Sequence, residues 1–154
     1  MRIKAVLLVS CSLLMINLQS ISQTAEDSVK TAVNNLFSAM KNADTAQLRN
    51  CFSGNCIFQT ITKNKEKNTV VKDEMLGEFL ASVIAQPKGS LDERIVFDVV
   101  KIDGPLAIVW TPYKFYYNGK FLHCGVNSFQ LVKLAEGWKI QYLIDTRRKE
   151  NCGE

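Results

Sequence analysis

Residues 106–148 read LAIVWTPYKFYYNGKFLHCGVNSFQLVKLAEGWKIQYLIDTRR. Three runs rich in Val, Ile, Phe, Tyr and Trp are separated by two tight turns, Asn118-Gly119 and Glu136-Gly137. Asn-Gly between aromatic-rich runs is the strongest short signal for a two-residue hairpin. Leu106–Tyr117, Lys120–Leu134 and Trp138–Arg147 are therefore strands of an antiparallel meander. Pro112 interrupts the first of them. It cannot donate to a ladder, so it requires a bulge or an edge position, and a bulge bends a sheet.

Upstream of this stretch, Asp92–Ile102 reads as a further long strand, joined through Asp103-Gly104-Pro105. The N-terminal half has a different period. Val29, Ala32, Val33, Leu36, Phe37 and Met40 follow the 3-and-4 spacing of one helical face, predicting a helix over Ala25–Lys41 with Thr24 and Asp27 as a capping box. Asp44 caps a short second helix with Leu48, Cys51 and Phe52 inward, ended by Ser53-Gly54-Asn55. Cys56–Thr62 alternates as a strand around Phe58, Lys63–Lys67 is a turn, and Asn68–Val71 is a candidate short strand. A third helix is expected over Asp73–Ala85, capped by Asp73 and stopped by Pro87, with Leu76, Phe79, Leu80, Val83 and Ile84 buried. Helices first and a meander last indicate an α+β fold: a bent, mostly antiparallel sheet of about six strands, with three helices packed on one face.

The first 22 residues read as a secretory signal peptide. Arg2 and Lys4 lead, Ala5–Leu18 is apolar, and Ser20-Ile21-Ser22 is a small-x-small cleavage site before Gln23. The rivals are an uncleaved anchor and a lipoprotein with Leu8-Val9-Ser10-Cys11 as its lipidation box. The apolar run is shorter than the roughly 20 residues that span a bilayer, and apolar sequence continues past Cys11. Residues 23–154 then form one domain of about 130 residues, exported to the periplasm or outside the cell, without stable membrane insertion. Cleavage removes two of the 19 basic side chains and none of the 15 acidic ones, leaving a net charge near +2. The densest basic run, Arg147-Arg148-Lys149, is followed at once by Glu150. There is no clustered basic face for nucleic acid.

Four cysteines remain in the exported chain: Cys51, Cys56, Cys124 and Cys152. A hairpin centred near Glu136 sets Cys124 opposite Arg148, with Cys152 just past the strand end. This favours a Cys124–Cys152 disulfide and leaves Cys51–Cys56 as the second pair. Cys-x4-Cys with a lone His123 fits no common zinc pattern, and no cofactor motif is present.

The order of elements resembles the nuclear transport factor 2-like superfamily, whose cone-shaped fold also serves ketosteroid isomerases and polyketide cyclases. The resemblance rests on the opening helix Val29–Met40, on Ala43-Asp44 before Leu48 and Phe52, and on Gly137-Trp138-Lys139-Ile140. His123-Cys124-Gly125, Phe129-x-Leu131 and Asp145-Thr146-Arg147-Arg148 further resemble its exported, SnoaL-like branch named for lumazine binding. The superfamily holds enzymes, binding proteins and assembly modules, so the resemblance implies a pocket in the cone rather than one activity.

On Lys120–Leu134 the two-residue period gives His123, Gly125, Asn127, Phe129 and Leu131 one face, and Phe129 and Leu131 make it the inner one. On the last strand both phases contain apolar residues. A bulge near Tyr142 would bring Trp138, Ile140, Leu143 and Asp145 inside together. The candidate ligand-binding residues are thus Phe58, Trp110, Tyr113, Phe115, His123, Asn127, Asp145 and Arg147. Aromatic rings around a few polar groups suit a flat heteroaromatic molecule, and an arginine facing a pocket suits an anion or carboxylate. Three functions are open. The first is a binding protein for a small aromatic or anionic molecule, without chemistry. The second is an isomerase- or cyclase-type enzyme using His123 and Asp145 for proton transfer, which requires them to be hydrogen-bonded. The third is a module that dimerises through its exposed sheet face.

Overall fold

The structure, a computed structural model, describes residues 24–153. The expected signal peptide and Cys11 lie outside the described residues. The elements follow in the order α1 (Ala25–Asn42), α2 (Thr45–Asn50), β1 (Phe52–Lys63), β2 (Thr69–Asp73), α3 (Leu76–Ile84), β3 (Leu91–Ile95), β4 (Val99–Asp103), β5 (Leu106–Tyr117), β6 (Lys120–Leu134) and β7 (Gly137–Arg148). One curved, unclosed sheet runs β2-β1-β7-β6-β5-β3, with β4 beside β3 on the same edge of β5. Among the described residues only β1 and β7 pair in parallel, which makes the sheet mixed. The α+β cone with three helices is as the sequence implied, with seven strands rather than six.

The extra strand has a local cause. Asp92–Ile102 is not continuous, because Ile95 pairs with Tyr113 while Val99 pairs with Trp110, and one surplus residue is squeezed out between them. Pro112 faces this break. Its carbonyl accepts from Val96 N–H at 2.9 Å, on the side where its nitrogen has no hydrogen to offer. The irregularity that Pro112 requires is carried by its neighbour.

The bulge on the last strand falls where the phase argument needs it. Gln130 pairs with Tyr142 but Leu131 pairs with Ile140, so Gln141 is left out of the ladder. Its amide instead accepts from Ser53 Oγ at 2.8 Å and donates to the Asn55 carbonyl at 2.9 Å. Trp138, Ile140, Leu143 and Asp145 are all buried as a result. Between β5 and β6, Asn118 and Gly119 take φ of 49° and 76°, the left-handed conformation of a primed hairpin turn.

Helix α1 buries Val29, Val33, Leu36, Ala39 and Met40 against the sheet. Thr24 caps it, accepting from Asp27 N–H at 3.1 Å. Each of its large apolar side chains removed from water contributes about 1.5–3 kcal/mol before entropy is counted. Asp44 caps α2 in the same way. Two boundary expectations and one burial expectation are corrected. Strand β1 starts at Phe52 and includes Ser53-Gly54-Asn55, because these residues bond to β7 instead of ending the helix. Helix α3 starts at Leu76, not at Asp73, because Asp73 closes β2 and accepts from Gln59 Nε2 at 2.8 Å. Ile84 at its far end is exposed rather than buried.

Cys124 and Cys152 form a disulfide with a Cα–Cα separation of 5.6 Å. Cys51 and Cys56 are free, against the expected second pair. The segment between them is strand, not a loop that doubles back. Cys51 also turns its thiol onto α2, donating to the Gln47 carbonyl at 3.3 Å. Among the described residues, no helix is long and apolar enough to cross a membrane.

Candidate functional site

Register turns the concave face into a stack of cross-strand rows. Ala107, Leu131, Ile140 and Phe52 form one row across β5, β6, β7 and β1, and Val109, Phe129, Leu143 and Phe58 form the next. Both are apolar and make up the core beneath α1. The third row changes character: Thr111, Asn127, Asp145 and Thr60 are all at least nine-tenths buried. The fourth is Tyr113, Gly125 and Arg147, and the fifth opens with Phe115 and His123. Core thus gives way to polar floor within one step along the strands.

Above this floor is a cavity of about 630 Å³, walled by α3 and β3 as well as by the sheet. Phe58, Phe79, Tyr113, Phe115 and Leu91 supply its apolar surface, and Glu74, Glu78, Glu93, Asp145, His123 and Arg147 its charged or titratable groups. The volume lies in the range of small-molecule sites, roughly 300–1,000 Å³.

Tyr113 is the hub. Its hydroxyl lies 2.9 Å from the Thr146 carbonyl, 3.3 Å from His123 Nδ1 and 3.4 Å from Asp145 Oδ2. Burial, then the neighbouring Glu93 and Asp145 carboxylates, push the phenol's pKa upward, so it keeps its proton. One proton cannot serve three acceptors. The shortest contact, to Thr146, takes it, and His123 then donates from Nδ1. The ring reaches this position because Gly125 has no side chain: a Cβ there would overlap the Thr146 carbonyl oxygen and lie 2.7 Å from Tyr113 Cε1. His123 is stacked on Phe115 with centroids 5.0 Å apart. Burial and then the Arg147 charge hold its pKa below the usual value, outweighing the pull of Asp145, so it is chiefly neutral at pH 7.

Asp145 Oδ2 accepts from Arg147 Nε at 2.8 Å, while its Oδ1 is buried without a partner. Among the described residues the hydroxyls of Thr60 and Thr111, which flank the same row, are also buried and without a partner. Glu93, on β3, accepts from Asn127 Nδ2 at 2.8 Å through Oε1. Burial first, and then the charge of Asp145, push its carboxyl up to about 7, against the opposing hydrogen bond from Asn127.

The sequence-derived candidates divide accordingly. Phe58, Tyr113, Phe115, His123, Asp145 and Arg147 line the cavity. Asn127 lies just beneath, buried and committed to Glu93. Trp110 is misplaced: it shares the phase of Leu106 and Ile108, points to the convex face, and is 45% exposed. His123 and Asp145 are not hydrogen-bonded to each other; Tyr113 stands between them. Glu93, Glu74 and Glu78 were not anticipated. The signal for Glu93 was a charged residue in phase with Leu91 and Ile95 on a half-buried strand.

The fold has well-matched counterparts among solved structures, all distant in sequence. A nuclear transport factor 2-like protein of unknown function from Shewanella baltica superposes with a TM-score of 0.63 at 13% identity, over 80% of this chain and 93% of that one. Another, from Silicibacter pomeroyi, gives 0.61 at 15% identity, over 79% and 93%. A domain of unknown function with a cystatin-like fold from Nostoc punctiforme gives 0.63 at 17% identity, over 83% and 80%. No protein-family model and no curated protein matches the chain. The likeness establishes the nuclear transport factor 2-like fold and leaves function to the site.

Proposed function

We propose that this nuclear transport factor 2-like chain is an exported binding protein whose cone holds a small, flat, aromatic molecule. The observation that carries the reading is the cavity of about 630 Å³, in which five aromatic rings, Tyr117 among them, converge with His123, Glu93, Asp145 and Arg147. Rings supply stacking area and the polar groups fix orientation. Export is supported by the leader-like N-terminus and the Cys124–Cys152 disulfide. An anionic ligand is not favoured. The Arg147 guanidinium is already engaged by Asp145, and four carboxylates face the cavity against that one arginine. A thermal-shift screen of the purified protein with lumazine, riboflavin, indoles and steroids tests the reading. A saturable rise in melting temperature with at least one flat ring system is expected, and a flat response to the whole panel contradicts it.

A proton-transfer enzyme is the second reading. It is favoured by His123 and Asp145 flanking the Tyr113 hydroxyl at 3.3 and 3.4 Å, next to a glutamate whose carboxyl is pushed up to about 7. The two differ in fate of the bound molecule: a binding protein returns it unchanged, whereas an enzyme yields an isomer or dehydrated product by mass spectrometry and NMR.

A further inference from the structure

We infer that the molecule bound in this cavity carries a protonated amine, seated on the Glu93 carboxylate beside the buried Asp145, with its flat body against Phe58, Phe79 and Phe115. The inference rests on the cavity reading above and specifies the charge of what fills it.

Three observations converge. Glu93 and Asp145 are brought together by Asn127, which is the cross-strand partner of Asp145 and donates to Glu93 at 2.8 Å. Asp145 is 5% exposed, lines the cavity, and leaves Oδ1 without a donor. Two carboxylates this close repel each other, and a cation held on Glu93 offsets that repulsion. Glu93 uses only Oε1 among the described residues, so Oε2 is also available.

The second observation is the charge balance. Glu93, Asp145, Glu78 and Glu74 face the cavity, and of these Asp145 is paired to Arg147 and Glu74 to Lys72. Glu93 and Glu78 have no ion-pair partner among the described residues, so the wall carries excess negative charge that steers cations inward. The third is the wall itself. Phe58 and Phe79 meet edge to face at 5.2 Å, and Phe115 lies across the cavity. Aromatic faces around a cation add attraction that a carboxylate ligand would lose.

The groups facing Glu93 are Tyr113 on β5, Asn127 and His123 on β6, Asp145 and Arg147 on β7, and Glu78 on α3. Between pH 6 and 8 the principal change among them is ionisation of Glu93 itself, whose carboxyl is pushed up to about 7. Any imidazolium that forms on His123 at the acid end repels an amine, in the same direction.

The test uses three indoles of one shape in isothermal titration calorimetry with the full protein: tryptamine, neutral 3-propylindole and indole-3-propionate. Tryptamine should bind at least tenfold tighter than either of the others at pH 8. Its affinity should fall about tenfold between pH 8 and pH 6 as Glu93 takes up a proton. Glu93→Gln should remove that preference and its pH dependence while 3-propylindole binds as before, which also reports an intact fold. Glu93→Ala serves as a second variant with the same expected loss. Equal binding of the three indoles, or tryptamine binding unaffected by either variant, overturns the amine inference and leaves the aromatic cavity standing. Failure of all three indoles to bind overturns the amine inference, whereas the cavity reading falls only with a flat response to the whole panel above.

Discussion

Replacing Gly125 by alanine should destabilise the protein, although the same change at an ordinary strand position would help. Alanine restricts the unfolded chain and by itself gains about 0.4–1 kcal/mol. At Gly125 the new methyl would overlap the Thr146 carbonyl oxygen and sit 2.7 Å from Tyr113 Cε1. The ring could rotate aside, but the carbonyl is main chain in the adjacent strand. Relief therefore requires β6 and β7 to part, straining the Gly125–Arg147 pair and its neighbours. Overpacking of this kind costs about 1–3 kcal/mol, and one weakened ladder hydrogen bond adds about 1. The net expectation is a loss of about 2 kcal/mol, or roughly 8 °C in melting temperature for a domain of this size. Differential scanning calorimetry reads it. Repeating the change in a Tyr113→Leu background separates the two contacts. If the main chain is the obstacle, most of the loss persists and the two substitutions add to within about 0.5 kcal/mol. A neutral or stabilising Gly125→Ala would refute the close approach of β6 and β7. A loss that vanishes with Tyr113→Leu would assign the obstacle to the ring alone.

Three further outcomes follow from the same geometry. Glu93 has a folded pKa above its unfolded value, so the folded state binds its proton more tightly. The associated stability is complete below about pH 4.5 and is lost as pH rises through about 7. Glu93→Gln should therefore raise the melting temperature at pH 8, by the equivalent of no more than about 3 kcal/mol, and leave it unchanged at pH 4; an equal effect at both would contradict the raised pKa. Tyr113→Phe removes the hydroxyl that bonds Thr146 and accepts from His123, costing about 1 kcal/mol. Long-range nitrogen–proton NMR should find the Nδ1–H tautomer of His123 in the parent protein and a shift toward Nε2–H in the variant, and an Nε2–H form in both would overturn the assigned hydrogen-bond direction. Reducing the Cys124–Cys152 disulfide reopens a loop with a sequence separation of 28, worth about 3–4 kcal/mol by chain entropy, so a reductant should lower the melting temperature by about 12–16 °C.

Much of the fold is legible because short-range chemistry decides it. Asn118-Gly119 permits one kind of turn, and that turn with Glu136-Gly137 fixes the register that sets Cys124 near Cys152. The Gln141 bulge could be inferred because no single phase buries both Ile140 and Leu143. What escaped depended on partners far along the chain. Asp73 has the chemistry of a helix cap, yet Gln59 holds it in a strand. Trp110 belongs to a run apolar in both phases, so alternation could not tell the hollow face from the convex one. Glu93 lay in a stretch read as one strand, and its role emerges only when β3 folds over Asn127. The site was therefore half legible: the residues on β6 and β7 were found by phase, the rings on β1 and β5 by their aromatic character alone, and the acidic wall from β3 and α3 was not found.

The central claim is that the hollow above the polar row is filled by a small molecule. Native mass spectrometry of the protein purified from its own host tests it most directly. The account predicts a second species heavier by one small organic molecule, lost on denaturation and diminished by Tyr113→Ala. A single species at the mass of the bare chain, in a protein that also fails to take up any added flat ring system, would contradict it.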